Sequence, residues 1–376
     1  MIEDPQIRVL FGPNSSIIDD LLHNIGASTY KIAVAMFWFD YEPLANALIE
    51  ASKLGVEVKV LVDQRSLLPM CDDAGNKRLM SVPEYLSQNG ILVKIYSGPD
   101  DIFHHKLVLI DDQFVIDCSM NWTYQDLNYD LNHYMVIHHN DVCNHVARWF
   151  QRFWQRQDLS SLPINHREPQ ATLMPQARVH FSDEESLKTV INDILNRAEH
   201  TVEVMHFVVN SSWFLNCIKN VISRGVRVRI LSNGESIPFL RQAANLGALV
   251  KVLTPNHIKK LHHKTIIVDG RFVLVGSVNL FDRSLQLDKE HLFVFHAEHI
   301  ADGFSSEFER IWSLHSFVPS SSDKTSIRKS PMFPIMSRLL HGLMSKHRLI
   351  TIILAALLCL ASAANVLMAI YILRFG

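Results

Sequence analysis

The chain has 376 residues, 48% of them hydrophobic, and a formal net charge of −2. That length accommodates two ordinary domains with their own cores, and the near-neutral charge offers no global basic field for coating nucleic acid. Five cysteines without a C-x-x-C pair argue for a reducing compartment, with neither a zinc knuckle nor a disulfide frame.

The N-terminus, MIEDPQIRVLFGP, starts acidic and lacks an apolar h-region, so no cleavable signal peptide is expected. KIAVAMFWF (31–39) and VEVKVLVD (56–63) read as buried strands. Between them EPLANALIEASKLG (42–55) reads as an amphipathic helix closed by a glycine C-cap. Strand, helix, strand predicts α/β layering around a central sheet.

Further along, HHKLVLIDD (104–112) recurs as HHKTIIVDG (262–270), an offset of 158 residues. Ser119/Ser277, Asn121/Asn279, Asp130/Asp288 and His133/His291 coincide at the same offset, as do Phe150/Phe308 and Trp154/Trp312. GVEVKVLVD (55–63) matches GVRVRILSN (225–233), and GILVKIY (90–96) matches GALVKVL (247–253), at different offsets. The first copy therefore carries an insertion near RSLLPMCDDAGNKRLM (65–80), and the chain is an imperfect duplication. The expected organisation is a first repeat at 1–157, a linker at 158–176, a second repeat at 177–317, a juxtamembrane linker at 318–348 and a transmembrane helix at 349–373.

That last stretch, from Leu349 to Leu373, has 25 residues without a charge, enough to cross a bilayer core of about 30 Å at roughly 1.5 Å per residue. Arg328, Lys329, Arg338, Lys346 and Arg348 precede it, and the positive-inside bias places that flank and the folded body in the cytosol. The expectation is a single-pass, tail-anchored protein.

Side chains at i and i+2 of a strand share a face. His104 and Lys106 therefore point one way, as do His262 and Lys264, while His105 and His263 face away and read as structural. Asp111 and Asp269 fall at the strand ends. Ser119 with Asn121, and Ser277 with Asn279, follow on the next segment. Each repeat thus offers an imidazole, an ammonium, a hydroxyl and an amide. Two repeats related by a pseudo-twofold bring both sets to one cleft. A phosphodiester suits such a cleft: the lysines balance its charge, one neutral histidine attacks phosphorus and the other protonates the leaving alcohol. No metal and no cofactor is called for. The Phe/Trp pairs at i, i+4 read as core packing, and the histidine-rich HYMVIHHN (133–140) shows no zinc-ligand spacing.

These residues resemble the HKD motif of the phospholipase D superfamily, H-x-K-x4-D-x6-G-S-x-N. The second copy fits throughout: His262, Lys264, Asp269, Gly276, Ser277 and Asn279. The first fits at His104, Lys106, Asp111, Ser119 and Asn121, with Cys118 in place of the glycine. The resemblance spans roughly residues 5–318. It implies two phospholipase D-like α/β repeats with the active site between them. It also implies His104, Lys106, Asp111, His262, Lys264 and Asp269 as catalytic residues, supported by Ser119, Asn121, Ser277, Asn279 and Glu290. Family members often carry an acidic residue about 28 positions after the motif histidine. Glu290 occupies that position after His262, and Asn132 occupies it after His104. If each histidine is oriented by its own repeat, His262 is the better proton donor and His104 the nucleophile; a crossing of the orienting groups reverses that argument.

The expected function is metal-independent phosphodiester hydrolysis, or transphosphatidylation, on membrane phospholipids through a phosphohistidine. The anchor is the main reason, because it confines the site near lipid. The alternatives are an endonuclease using the same chemistry, a cardiolipin-synthase-like phosphatidyltransferase, and an inactive membrane scaffold. The expected partners are a phospholipid and the membrane, with no oligomer required.

Overall fold

The structure, a computed structural model, describes residues 2–3, 6–156, 176–253, 260–314 and 316–317. The sequence-predicted linker apart from Gln176, the juxtamembrane stretch and the transmembrane stretch lie outside the described residues. Among the described residues, no helix is long and apolar enough to cross a membrane.

The first repeat contains β1 (Ile2–Glu3), β2 (Ile7–Phe11), α1 (Ser15–Gly26), β3 (Lys31–Met36), α2 (Glu42–Lys53), β4 (Glu57–Asp63), β5 (Pro69–Cys71), β6 (Lys77–Ser81), α3 (Val82–Gln88), β7 (Leu92–Tyr96), β8 (Lys106–Ile110), β9 (Phe114–Cys118), α4 (Tyr124–Tyr129), β10 (His133–Ile137) and α5 (Asn140–Gln155). The second contains β11 (Ala177–Phe181), α6 (Leu187–Asn196), β12 (Thr201–His206), β13 (Val209–Asn210), α7 (Ser212–Ser223), β14 (Arg227–Ser232), α8 (Ile237–Asn245), β15 (Leu249–Leu253), β16 (Lys264–Val268), β17 (Phe272–Gly276), β18 (Leu280–Phe281), β19 (His291–His296), α9 (Glu298–Trp312) and β20 (Ser316–Phe317).

Each repeat builds one mixed sheet, and the two sheets share one strand order. The first runs β2-β10-β9-β8-β3-β4-β7 and the second β11-β19-β17-β16-β12-β14-β15. β3, β4 and β7 are parallel, as are β12, β14 and β15; the other pairings in this order are antiparallel. The extra strands sit at edges, β1 beside β2 and β20 beside β15. The inserted segment of the first repeat folds as the hairpin β5–β6.

Period-two alternation sorts side chains between cores. On β3, Ile32, Val34 and Met36 join a core with α1 and α2, whereas Ala33 and Ala35 face a second core on the other side. On β16, Ile266 and Val268 join α6, α7 and α8, and Ile267 turns to that same second core. This middle core takes residues from both sheets and from two helices. α5 presents Val142, Val146, Trp149 and Phe153 at helical spacing, and α9 presents Ile300, Phe304, Phe308 and Ile311. α5 packs on β8 and β9 of its own half and on β11 of the other; α9 packs on β12, β16 and β17 and also on β1. The halves are thus bonded through a common hydrophobic interior. Phe150 stacks on Trp154 and Phe308 on Trp312 within it, as their spacing predicts.

Candidate active site

The segments leading into β8 and β16 meet across the boundary between halves. Phe103 bridges to Lys289, and Leu261 bridges to Leu131. The His104 N–H donates to the Lys289 carbonyl at 2.9 Å, and the His262 N–H to the Leu131 carbonyl at 2.8 Å. Shifted by the repeat offset, the first contact becomes the second, which is the signature of an isologous, twofold arrangement. Equivalent loop anchors repeat as well: Asp63 accepts from the Phe103 N–H at 2.9 Å, and Asn233 accepts from the Leu261 N–H at 2.9 Å. The backbone of each half therefore fixes the motif histidine of the other.

The side chains follow the same symmetry. Lys106 Nζ donates to the His104 carbonyl at 2.7 Å and Lys264 Nζ to the His262 carbonyl at 2.9 Å. An aromatic ring stands edge-on to each imidazole, Phe37 against His104 at 4.8 Å and Phe207 against His262 at 4.9 Å. The same rings lie 5.0 and 5.1 Å from Lys106 Nζ and Lys264 Nζ. Phe37 and Phe207 follow β3 and β12 directly, and their N–H groups bond the carbonyls of His105 and His263. The sequence reading passed over both because they close apolar strand runs; only extending the repeat alignment to the ends of those strands would have paired them.

All four motif groups are buried. Burial, then the ammonium groups of Lys106 and Lys264, holds His104 well below the usual histidine range. Burial, then Lys264 and Lys260, does the same to His262, with Lys106 and His104 contributing. Each lysine thus acts on both imidazoles, which places the two sets in one electrostatic site. Burial also lowers Lys106 to about 8 and pulls Lys264 well down, the latter helped by repulsion from Lys106. Burial and mutual repulsion oppose charge on these two ammonium groups, and a bound anion would relieve both.

The orienting groups cross between repeats, which overturns the premise that each histidine is oriented by its own half. His104 Nδ1 lies 2.9 Å from Glu290 Oε2 in the second repeat. His262 Nδ1 lies 3.1 Å from Asn132 Oδ1 in the first. Asn132 is locked in that orientation because its Nδ2 donates to the carbonyls of Asp126 and Asp130, at 3.0 and 3.2 Å. Both imidazoles therefore donate from Nδ1 and turn Nε2 away from these partners. A residue that sequence reasoning missed, Asp126, also reaches His262 Nδ1, with Oδ2 at 3.3 Å.

Asp111 and Asp269 depart from expectation. Asp111 accepts the N–H groups of Thr29, Tyr30 and Lys31 at 2.7, 3.0 and 2.9 Å and the Thr29 hydroxyl at 2.7 Å. Asp269 accepts the N–H groups of Glu199, His200 and Thr201 at 2.8, 2.8 and 2.7 Å. Both sit at φ 53° at the far ends of β8 and β16, about 16 Å of strand from the lysines at roughly 3.3 Å per residue. Their carboxylates are committed to the loops that launch β3 and β12 and are not brought to the histidine–lysine site.

The supporting residues divide similarly. Ser119 Oγ donates to Asn132 Oδ1 at 2.9 Å, and Ser277 Oγ accepts the His291 N–H at 2.9 Å. Asn121 donates its backbone N–H and its Nδ2 to Asp126 at 2.9 and 2.8 Å, and Asn279 donates its backbone N–H to Ser284 at 3.0 Å. Cys118 stands on a backbone that differs from that of its counterpart Gly276. Gly276 has φ 153° and a Cβ there would lie 2.6 Å from the His291 carbonyl, but Cys118 is not among the positive-φ residues and its thiol contacts the Met120 carbonyl at 3.4 Å. His105 and His263 face the middle core, as alternation predicts. His105 sits 4.5 Å from Trp149 between ring centroids and its Nδ1 meets His291 Nδ1 at 3.1 Å. His263 stacks on His133 at 5.7 Å.

Beneath the site lies a carboxylate with no counterpart in the second repeat. Asp117 Oδ1 accepts from His291 Nε2 at 2.8 Å, and its Oδ2 lies 3.5 Å from His133 Nε2. Burial opposes its charge, but these two histidines bring it down to about 2. Among the described residues, no group of three or more histidine, cysteine or acidic side chains is arranged to hold a metal ion.

The sequence matches the family described as "Cardiolipin synthase, PLD-like domain" twice, over residues 21–154 and 191–312. It is 28% identical to the mitochondrial cardiolipin hydrolase of Canis lupus familiaris over 156 residues, which is 38% of this chain and 59% of that protein. It is 22% identical to cardiolipin synthase B of Escherichia coli (strain K12) over 311 residues, 73% of each chain. The crystal structure of phosphatidylserine synthase from Haemophilus influenzae Rd KW20 superposes with a TM-score of 0.68 at 14% identity, covering 92% of this chain and 95% of that one. That last likeness is one of fold. With both motif sets meeting across two matched domains, the chain belongs to the phospholipase D-like family, one domain in each half.

Proposed function

We propose that this protein is a phospholipase D-type phosphodiesterase that acts on membrane phospholipids through a phosphohistidine. One observation carries the reading: two histidine–lysine pairs converge on one buried site, each histidine fixed by the opposite half. Crossing of the orienting groups reverses the basicity argument drawn from the sequence, and His104 is kept as nucleophile on a different ground: its Nε2 attacks phosphorus while its Nδ1–H donates to Glu290, whose carboxylate offsets the positive charge that phosphorylation puts on the ring. The bond from phosphorus to the leaving alcohol breaks, and His262 Nε2–H supplies that oxygen with its proton. Water, or a second alcohol, then gives its proton to His262 and attacks phosphorus, which releases His104. Lys106 and Lys264 hold the non-bridging oxygens and supply the positive charge that the transition state needs.

Phospholipid as substrate is supported by the cardiolipin hydrolase and synthase relatives and by the uncharged stretch from Leu349 to Leu373, which we read as a membrane anchor. Transfer to an alcohol rather than to water is the second reading, favoured by the match over 73% of cardiolipin synthase B. The full-length protein in detergent, with EDTA, is offered cardiolipin-containing vesicles, with and without glycerol, and labelled single-stranded DNA in parallel. Phosphatidic acid released by the wild type but not by His262→Ala is the expected result. Hydrolysis leaves one phosphatidic acid and one phosphatidylglycerol per cardiolipin, so phosphatidylglycerol formed without phosphatidic acid when glycerol is present identifies the transferase. Cut DNA with intact lipid overturns the lipid reading.

A further inference from the structure

A general acid must hold a proton before it can give one away, and His262 stands in a site that discourages it. Burial and three lysines all oppose an imidazolium there. Its partner at hydrogen-bond distance, Asn132, is an amide and supplies no charge. The other half solves the same problem with Glu290, which directly accepts from His104.

The second repeat builds its orienting unit from two positions, Ser284 and Glu290. The Asn279 N–H donates to Ser284 Oγ at 3.0 Å, and the Ser284 hydroxyl donates to Glu290. The first repeat places Asp126 where Ser284 stands and Asn132 where Glu290 stands, each shifted by the repeat offset. The backbone contact is retained, for the Asn121 N–H donates to Asp126 Oδ2 at 2.9 Å. The same oxygen lies 3.3 Å from His262 Nδ1. The carboxylate has moved from one position of the unit to the other and still reaches the imidazole of the opposite half.

We propose that Asp126 is the charged positioning residue of His262, doing from the Ser284-equivalent position what Glu290 does for His104. The surroundings keep it ionised. Burial opposes its charge, but the Lys260 ammonium at 3.4 Å, the Asn121 N–H and the charges of Lys106 and Lys264 hold Asp126 below the usual aspartate range. Asp130 also faces this cluster, paired with Lys260 at 3.2 Å, and burial with the Asp126 charge raises it to about 7. A negative charge confined to Asp126 is thus set against His262, Lys260 and the two motif lysines.

The inference rests on the phosphodiesterase reading, and its test separates the two. Asp126→Ser keeps a hydroxyl for the Asn121 N–H, as Ser284 does for Asn279; Asp126→Ser/Asn132→Glu rebuilds the unit of the second repeat in the first. Both are made in the full-length protein and assayed on bis(4-nitrophenyl) phosphate and on cardiolipin vesicles across pH, while imidazole NMR follows His262. Asp126→Ser is expected to lower kcat at least a hundredfold, to move its alkaline limb to lower pH and to lower the His262 titration. The double variant is expected to recover to within tenfold of wild type. Unchanged kcat and pH limb in Asp126→Ser overturn the proposal, as does a folded double variant that stays inactive. If the wild type turns over no phosphodiester, the functional reading fails and the NMR titration decides alone: a lowered His262 supports the assignment and an unmoved one overturns it.

Discussion

Asp126 and Asn132 occupy in the first half the positions that Ser284 and Glu290 occupy in the second, and the exchange leaves one carboxylate near each imidazole. Backbone features behave differently. The carbonyl that receives each histidine N–H, the carbonyl that receives each lysine and the phenylalanine that follows β3 and β12 are all duplicated. Charge has drifted between the halves, whereas the frame that aims the reactive groups has not. The requirement on the carboxylate is thus one of reach and sign, which more than one position satisfies. The requirement on the imidazole is one of direction, which only the duplicated backbone meets.

Equal dependence on both halves gives the largest expected effect. His104→Ala and His262→Ala are each expected to lower turnover by about 10³-fold or more, since each removes a whole step. Trapping with labelled substrate should leave the label on His104; label on His262 reverses the roles.

Acid is expected to act next most strongly, through the histidines beneath the site. Burial holds His263 down at about 4. The unfolded chain protonates this group near pH 6.5 and the folded chain does so only near 4, so stability falls as pH drops through that window and is unaffected above it. At about 1.4 kcal/mol per pH unit, His263 alone accounts for ~3 kcal/mol. Asp117, held near 2, acts in the same sense at lower pH, its contribution being lost as pH falls from about 4 towards 2. Urea unfolding at pH 7, 5.5 and 4.5 should show the decline, and His263→Asn should make it shallower by that share, the other buried histidines, His104 and His262 among them, keeping the rest.

Exchanging residues between halves tests the frame itself. Gly276→Cys puts a Cβ against the His291 carbonyl and is expected to cost ~2 kcal/mol or more in thermal unfolding, whereas Cys118→Gly costs about 1. Equal losses would show that the two backbones do not differ there. The smallest effect is expected at the motif aspartates. Asp111→Asn and Asp269→Asn should lower stability by ~1 kcal/mol through weakened bonds to the loop N–H groups and leave kcat/KM of the folded enzyme unchanged. A hundredfold fall in kcat/KM would restore them to the chemistry.

Much of this was legible in the residues. Strand alternation alone placed His104 with Lys106 and turned His105 into the core, and the repeat offset announced two matched halves. Three things were not legible. The crossing of Glu290 to His104 depends on how two sheets dock, which a linear offset does not encode. Asp126 was invisible because repeats are found by coincidence, and at this position the repeats disagree. Motif membership groups Asp111 and Asp269 with the chemistry, but it does not encode the left-handed turn at which each carboxylate meets three loop N–H groups.

The bonds that orient the two histidines join residues separated by 186 and 130 positions along the chain. Closing segments of that length costs entropy that only the finished common core repays. A chain with its first half complete holds His104 and Lys106 but lacks Glu290, Lys264 and the carbonyl that fixes His104. On the proposed reading, the paired histidine–lysine site does not exist until the second repeat has been made and has docked on the first, so activity awaits the joining of both halves.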